Sequence, residues 1–424
     1  MRNQTVRYRK HRQRASVRRR RIVLLLLFGM ALVIVGGAMA WNRGVAGVTA
    51  TGGAKLVQQA DAASLSGAGD SAASDESAKS APADSWPDWK PTPQAQKAID
   101  TAMANGRPPQ FLVASFDGAA DIRMYRRWLA LAEETGARFT FFVTGIYMLL
   151  PEFKNAYQPP RMSRGFSNLG GYAELGGNRS ARQNLRDNWR AFDRARMMGN
   201  EIASHYVSHI CEQSDAWSKA DWVSEQSQWE QLMLDVNTVN RLDPPISSII
   251  TKDDFHGGRT PCLNGNKDLL FPAMKSMGFE YDSSETGILG QWPVRKHGLW
   301  SFPLPTIPRA GSKYDTLAMD FNFYVNHGKT RNPAQAAKFA DLTYRSYIGA
   351  LRGLYQGTRA PLVIGSHFAS WNLDAYNTAL DKTLREACAM PEVACVTSIT
   401  LARWLDQQSP AKIAKWQAGS FKTG

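Results

Sequence analysis

Two histidines, His205 and His209, stand four residues apart in G-N-E-I-A-S-H-Y-V-S-H-I-C, Gly199 to Cys211. On one helical turn, or in a tight loop after a strand, this spacing turns both imidazoles the same way. Neutral imidazole suits Zn²⁺ and its first-row neighbours. Taken alone, such a spacing is more often a pair of surface or core histidines than a metal pair. Its company strengthens the metal reading. Asp117 follows a hydrophobic strand, Arg259 lies in a Gly-Gly-Arg-Thr-Pro turn, and His367 follows another buried strand.

These side chains need a scaffold that brings distant segments together. Hydrophobic residues make up 43% of the 424-residue chain and charged residues 21%, enough apolar material for a large core. Between Gln94 and Gln408 strand and helix signals alternate. Gln110 to Phe116 reads as a strand. Asp121 to Thr135 reads as a helix with Ile122, Tyr125, Leu129 and Ala132 on one face, ended by Gly136. Arg138 to Val143 is a second strand, Asn184 to Met198 a helix stopped by Gly199, and Glu201 to Ala203 a short strand before the histidines. Ser218 to Asp221 fits a capping box ahead of a helix with Trp222, Trp229, Leu232 and Val236 on one face. Phe279 to Tyr281, Thr316 to Phe323, Pro361 to Gly365 and Val393 to Thr397 read as strands, and Ala334 to Tyr355 and Leu373 to Ala389 as helices. Such alternation predicts an α/β fold with a parallel sheet or barrel. Chemistry in these folds gathers just past the carboxyl ends of the strands. Asp117, His205, Asp282 and His367 all follow predicted strands.

The ends of the chain differ from this body. Residues 1–21 hold ten Lys or Arg and no acid, so of the formal charge of +14 the remainder carries 14 − 10 = +4. The basic character belongs to a tail, which weakens any case for nucleic-acid binding. Residues 22–41 are uncharged and match a bilayer's thickness, predicting a single-pass membrane anchor with a cytoplasmic N-terminus and an extracellular body. The alternative is a cleaved signal peptide, with Ala38-Met39-Ala40 as cleavage site and a secreted product. Residues 42–93, rich in Gly, Ala, Ser and Asp, read as a disordered linker, and 409–424 as a C-terminal tail.

Four cysteines in an exported body suggest disulfides. Cys388 and Cys395 bracket a short loop suited to bridging. If the segments around His209 and Arg259 line one site, a Cys211–Cys262 bridge would clamp its walls; free thiols or zinc ligands are the alternative.

The body resembles the polysaccharide deacetylase family, carbohydrate esterase family four, and a membrane-anchored actinobacterial branch of it. That family has five short motifs in fixed order. Ser115-Phe116-Asp117-Gly118 resembles its T-F-D-D-G, His205 to His209 its H-S/T-x-x-H, and Arg259-Thr260-Pro261-Cys262 its R-x-P-Y/F. Asp282, with Trp292 further on, stands at the weak fourth motif, and Ile364 to His367 at the fifth, L-x-H. The resemblance implies a distorted (β/α) barrel and a hydrolase removing acetyl groups from an extracellular or cell-wall polysaccharide. It implies a divalent metal, Zn²⁺ with Co²⁺ or Mn²⁺ as alternatives, held by Asp117, His205 and His209. Asp117 would act as base, Arg259 would hold it charged, and His367 would protonate the leaving group. Arg259 as a structural ion pair and His367 as a polar strand end are the plain alternatives. Trp371 would floor a sugar subsite or simply pack. Gly118 departs from the family, because it stands where a metal-binding Asp is usual. Either Asp117 itself binds metal, or Asp121 replaces the missing carboxylate rather than capping a helix, or the chain is a catalytically weak glycan-binding protein.

Overall fold

The computed structural model describes residues 89–169, 180–419 and 421. The basic tail, the apolar stretch 22–41 and the linker as far as residue 88 lie outside them. Among the described residues, no helix is long and apolar enough to cross a membrane.

The first strand, β1 (Gln110–Asp117), is buried along its whole length and forms the centre of the fold. A strand covered on both faces needs a continuous apolar run, which Q-F-L-V-A-S-F supplies. It pairs in parallel with β2 (Thr140–Val143), with β11 (Leu362–His367) and, at Gln110 to Leu112, with β12 (Val393–Cys395). From β2 the main sheet continues through β3 (Glu201–Ser204), β4 (Gly257–Gly258), β5 (Tyr281–Asp282) and β8 (Leu299–Ser301). It ends on antiparallel β7 (Val294–Lys296). A second sheet joins β10 (Asp315–Leu317), β9 (Leu304–Pro308) and β6 (Thr286–Ile288). A single bridge, Met319 to Gly365, ties it to β11. The expected α/β class holds, and the distorted barrel takes the form of a half-barrel with a second, three-stranded sheet.

Helices α1 (Pro93–Ala104), α2 (Ile122–Thr135), α3 (Ala181–Met197) and α4 (Lys219–Leu234) precede or join the first strands. Asp121 caps α2 by accepting from Arg123 N–H, and Gly136 ends it at φ 67°, as its sequence signals predict. Ser218 and Asp221 form the expected capping box of α4. Tyr125 and Trp128 of α2 press on Phe116 and Phe141 of the sheet and on Phe139 just before β2, with centroids 4.6 Å apart for Phe116 and Trp128.

Several boundaries differ from expectation. Thr316 to Phe323 is not one strand. β10 stops at Leu317, and α6 (Asp320–His327) begins after α5 (Lys267–Ser276). Helices α7 (Pro333–Tyr355) and α8 (Trp371–Ala387) follow, then α9 (Ser398–Asp406) and α10 (Pro410–Ala418). Residues 409–424 therefore include a packed helix, with Trp416 stacked on Trp404 at 5.4 Å. At the other end Trp89 packs against the core and α1 starts at Pro93, inside the segment read as linker.

Candidate active site

The carboxyl ends of adjacent strands gather the expected residues. Asp117 and His367 are the last residues of β1 and β11, and they are register partners. His205 follows β3 and Arg259 follows β4, with Arg259 N–H donating to Ser204 C=O at 2.9 Å.

Arg259 is 0% exposed and its Nη1 donates to Asp117 Oδ1 at 2.8 Å. Its Nε and Nη2 donate to Ser283 C=O and Oγ at 3.2 and 2.9 Å, and its guanidinium lies 4.5 Å from the Phe142 ring centroid. The turn behind it is braced by Asp282. That buried carboxylate accepts from Ser284 N–H and Oγ, and Ser284 Oγ accepts from Thr260 N–H at 2.8 Å. Burial pushes the Asp117 carboxyl up, but Arg259, His205 and His367 together more than offset it, so its pKa falls below the ordinary value. Asp117 is therefore an anion at neutral pH.

His205 and His209 sit on a loop rather than a helix, with ring centroids 5.3 Å apart. His205 Nδ1 is 2.8 Å from Arg259 C=O. A carbonyl only accepts, so Nδ1 carries the proton and Nε2 keeps its lone pair. Burial lowers both pKa values, to about 4 for His205 and about 3 for His209, and both rings are neutral at pH 7. Two neutral imidazoles, one with its tautomer fixed by a backbone carbonyl, fit a divalent cation.

The third expected ligand is less close. Among the described residues, the trio of potential ligand atoms lying within 4.8 Å is His209, Cys211 and Cys262, and no such trio contains Asp117. Arg259 draws Asp117 to itself. The two cysteines form the Cys211–Cys262 disulfide, which leaves no thiolate to bind metal and joins the loops of His209 and Arg259. Cys388 and Cys395 form the other expected bridge. Gly118 has φ 73°, and a Cβ there would meet the Tyr147 ring at 3.9 Å. Asp121 is occupied as the cap of α2 and as the ion-pair partner of Arg123.

His367 has a partner that sequence reasoning missed. Its Nδ1 lies 2.7 Å from Oδ1 of the buried Asp320, whose Oδ2 accepts from His367 N–H at 2.8 Å and Ser366 Oγ at 3.1 Å. Burial lowers the imidazole's pKa, but Asp320 more than offsets it and the net shift is upward. Little in the sequence signals it, because Asp320 falls with Thr316, Ala318 and Asn322 on the polar face of an alternating pattern. Trp371 lies against His367, centroids 5.3 Å apart, and stacks on Tyr324 at 5.2 Å. Trp292 is packing, with its indole N–H donating to Thr358 C=O.

No family model matches the chain, and no curated protein matches it significantly. Solved structures do. A protein from Mycobacterium smegmatis described as a polysaccharide deacetylase shares 16% identity, covers 71% of this chain and 93% of its own, and has a TM-score of 0.44. One from Pseudomonas aeruginosa with the same description shares 12%, covers 71% and 93%, and scores 0.42. A CE4 family pseudoenzyme from Bacillus anthracis shares 9%, covers 69% and 66%, and scores 0.35.

Proposed function

We propose that this chain is a metal-assisted hydrolase that removes acetyl groups from a polysaccharide of the cell wall or exterior, with the N-acetyl amide preferred to the O-acetyl ester. One observation carries the reading: two neighbouring strand ends present groups whose pKa values are pushed apart, the carboxyl down and the imidazole up. Asp117 is kept anionic by Arg259, and Asp320 shifts His367 toward its protonated form. Titratable groups tuned apart in one site suit a base and an acid.

His205 and His209 would hold the divalent ion, Zn²⁺ or a neighbour such as Co²⁺ or Mn²⁺, which supplies polarisation of the acyl carbonyl. Asp117 takes the proton from the attacking water at its free carboxylate oxygen. Arg259 fixes its orientation through Oδ1. His367, its Nδ1 tied to Asp320, presents Nε2 and donates a proton to the departing amine, which thereby leaves as a neutral group. Trp371 and Tyr324 offer an aromatic wall on which a sugar ring can stack.

Gly118 favours a second reading, a glycan-binding protein with little turnover, because the site has one acid fewer than the motif it resembles. Location at the outer face of a membrane belongs to the same proposal and rests on residues 1–41. The test is acetate release from N- and O-acetylated glycans by the full chain with Zn²⁺, Co²⁺ or Mn²⁺. Release that needs the metal supports the hydrolase; binding of glycan without release from any of them supports the second reading.

A further inference from the structure

The loop between the two imidazoles is held from outside. Tyr206 and His209 have φ values of 57° and 56°. For residues with a side chain this left-handed backbone costs about 1–2 kcal/mol each. Hydrogen bonds from neighbouring segments offset that cost. Gly145 and Ile146 N–H donate to Tyr206 and Val207 C=O at 2.8 and 2.7 Å. Asn168 N–H and Ser167 Oγ both donate to Ser208 C=O, at 3.1 and 3.0 Å. On the opposite side stands Glu225 of α4, which is 1% exposed. Its Oε1 accepts from Val207 N–H at 3.0 Å, and its Oε2 accepts from Tyr157 O–H at 2.6 Å. When Glu225 is ionised it takes the single Tyr157 proton, and Ser208 Oγ then donates to Tyr157 Oη, 2.8 Å away.

We propose that Glu225, acting with Tyr157, is a positioning residue that sets how His205 and His209 are presented to a divalent cation. The inference rests on the reading of that pair as metal ligands. An acid is needed here because both oxygens of its ionised form accept. An amide would accept from Val207 but turn an NH₂ group toward Tyr157, reversing the hydroxyl chain to Ser208. The arrangement is costly, since burial pushes the Glu225 carboxyl up to about 7. Tyr157, Ser167 and Asn168 all come from the stretch between the Asp117 and His205 segments. That stretch thus acts as a clasp on the loop.

The experiment compares full-length wild type with Glu225→Gln and Tyr157→Phe, the milder changes, and with Glu225→Leu. Amide hydrogen exchange over residues 205–210 is read without metal, and Co²⁺ affinity and its visible spectrum are read by titration. Both mild variants should exchange at least tenfold faster in that loop alone and bind Co²⁺ roughly 10- to 100-fold more weakly, with an altered spectrum. Glu225→Leu should exceed both. Unchanged loop exchange, or a rise spread evenly over the molecule, overturns the inference. So does Co²⁺ binding equal to that of a wild type that itself binds. Wild type that binds no Co²⁺ while the loop still loosens overturns the metal reading instead, and with it the cation this inference assigns.

Discussion

Asp117 and His367 are register partners at the ends of two parallel strands, yet each is bonded to a different counter-charge, Arg259 for the aspartate and Asp320 for the histidine. The sheet sets their spacing, and the loops set their charge.

This arrangement predicts the pH profile. The acid limb should lie below the ordinary histidine range, since burial favours neutral His205 and His209 and Asp117 ionises below its ordinary value. The alkaline limb should lie above 6.5, because Asp320 raises His367. Asp320→Asn should move that limb to lower pH and reduce kcat roughly 10²-fold. The stability sign is the same. A raised histidine pKa gives stability that is fully present below 6.5 and is lost as pH rises through the folded value. Chemical denaturation of the two proteins across pH 5 to 9 measures it; an unshifted alkaline limb contradicts the role of Asp320.

Arg259→Met should destabilise the fold by about 3–5 kcal/mol, because it leaves Asp117 charged and buried without a partner. Adding Asp117→Asn should recover a large part of that loss. Urea titrations of the single and double variants decide it, and a single-variant loss under about 1 kcal/mol would contradict the buried pair.

The site was legible in the sequence where an apolar run ends on a polar residue. Phe111 to Phe116 before Asp117 and Leu362 to Ile364 before His367 are buried strands whose ends had to surface together in a parallel sheet. Asp320 was hidden because Thr316 to Phe323 alternates like a strand, whereas the chain turns at Ala318 and starts a helix. Helix α5 was hidden by Pro272 inside it; Leu270, Phe271 and Met274, packed in a second core cluster, hold it nonetheless. Glu225 sits on a helix face that reads as tryptophan packing, and its contacts come from loops no periodicity marks.

Removing the Cys211–Cys262 bridge by double serine substitution should cost about 2–5 kcal/mol. Removing Cys388–Cys395 should cost about 1.8 kcal/mol less on loop-closure grounds, since it spans 7 residues rather than 51. Only the first should also alter Co²⁺ binding, because only it borders His209. Denaturation and metal titration of both variants test the pair of claims.

Gly118→Asp puts back the acid of the motif this segment resembles, next to Asp117 in the chain, at a left-handed position that costs about 1 kcal/mol. Tyr147 leaves room for the first side-chain carbon. Metal affinity should rise at least tenfold while thermal stability falls slightly. Unchanged affinity would mean that Asp117 already completes the site.

Acetate release from an N-acetylated glycan, measured for wild type, His205→Ala and His367→Ala with and without added Zn²⁺ or Co²⁺, tests the central claim most directly. Wild type should release acetate only with metal, and both variants should lose about 10²-fold or more. No release from wild type with any metal, or release that survives both substitutions, would contradict it.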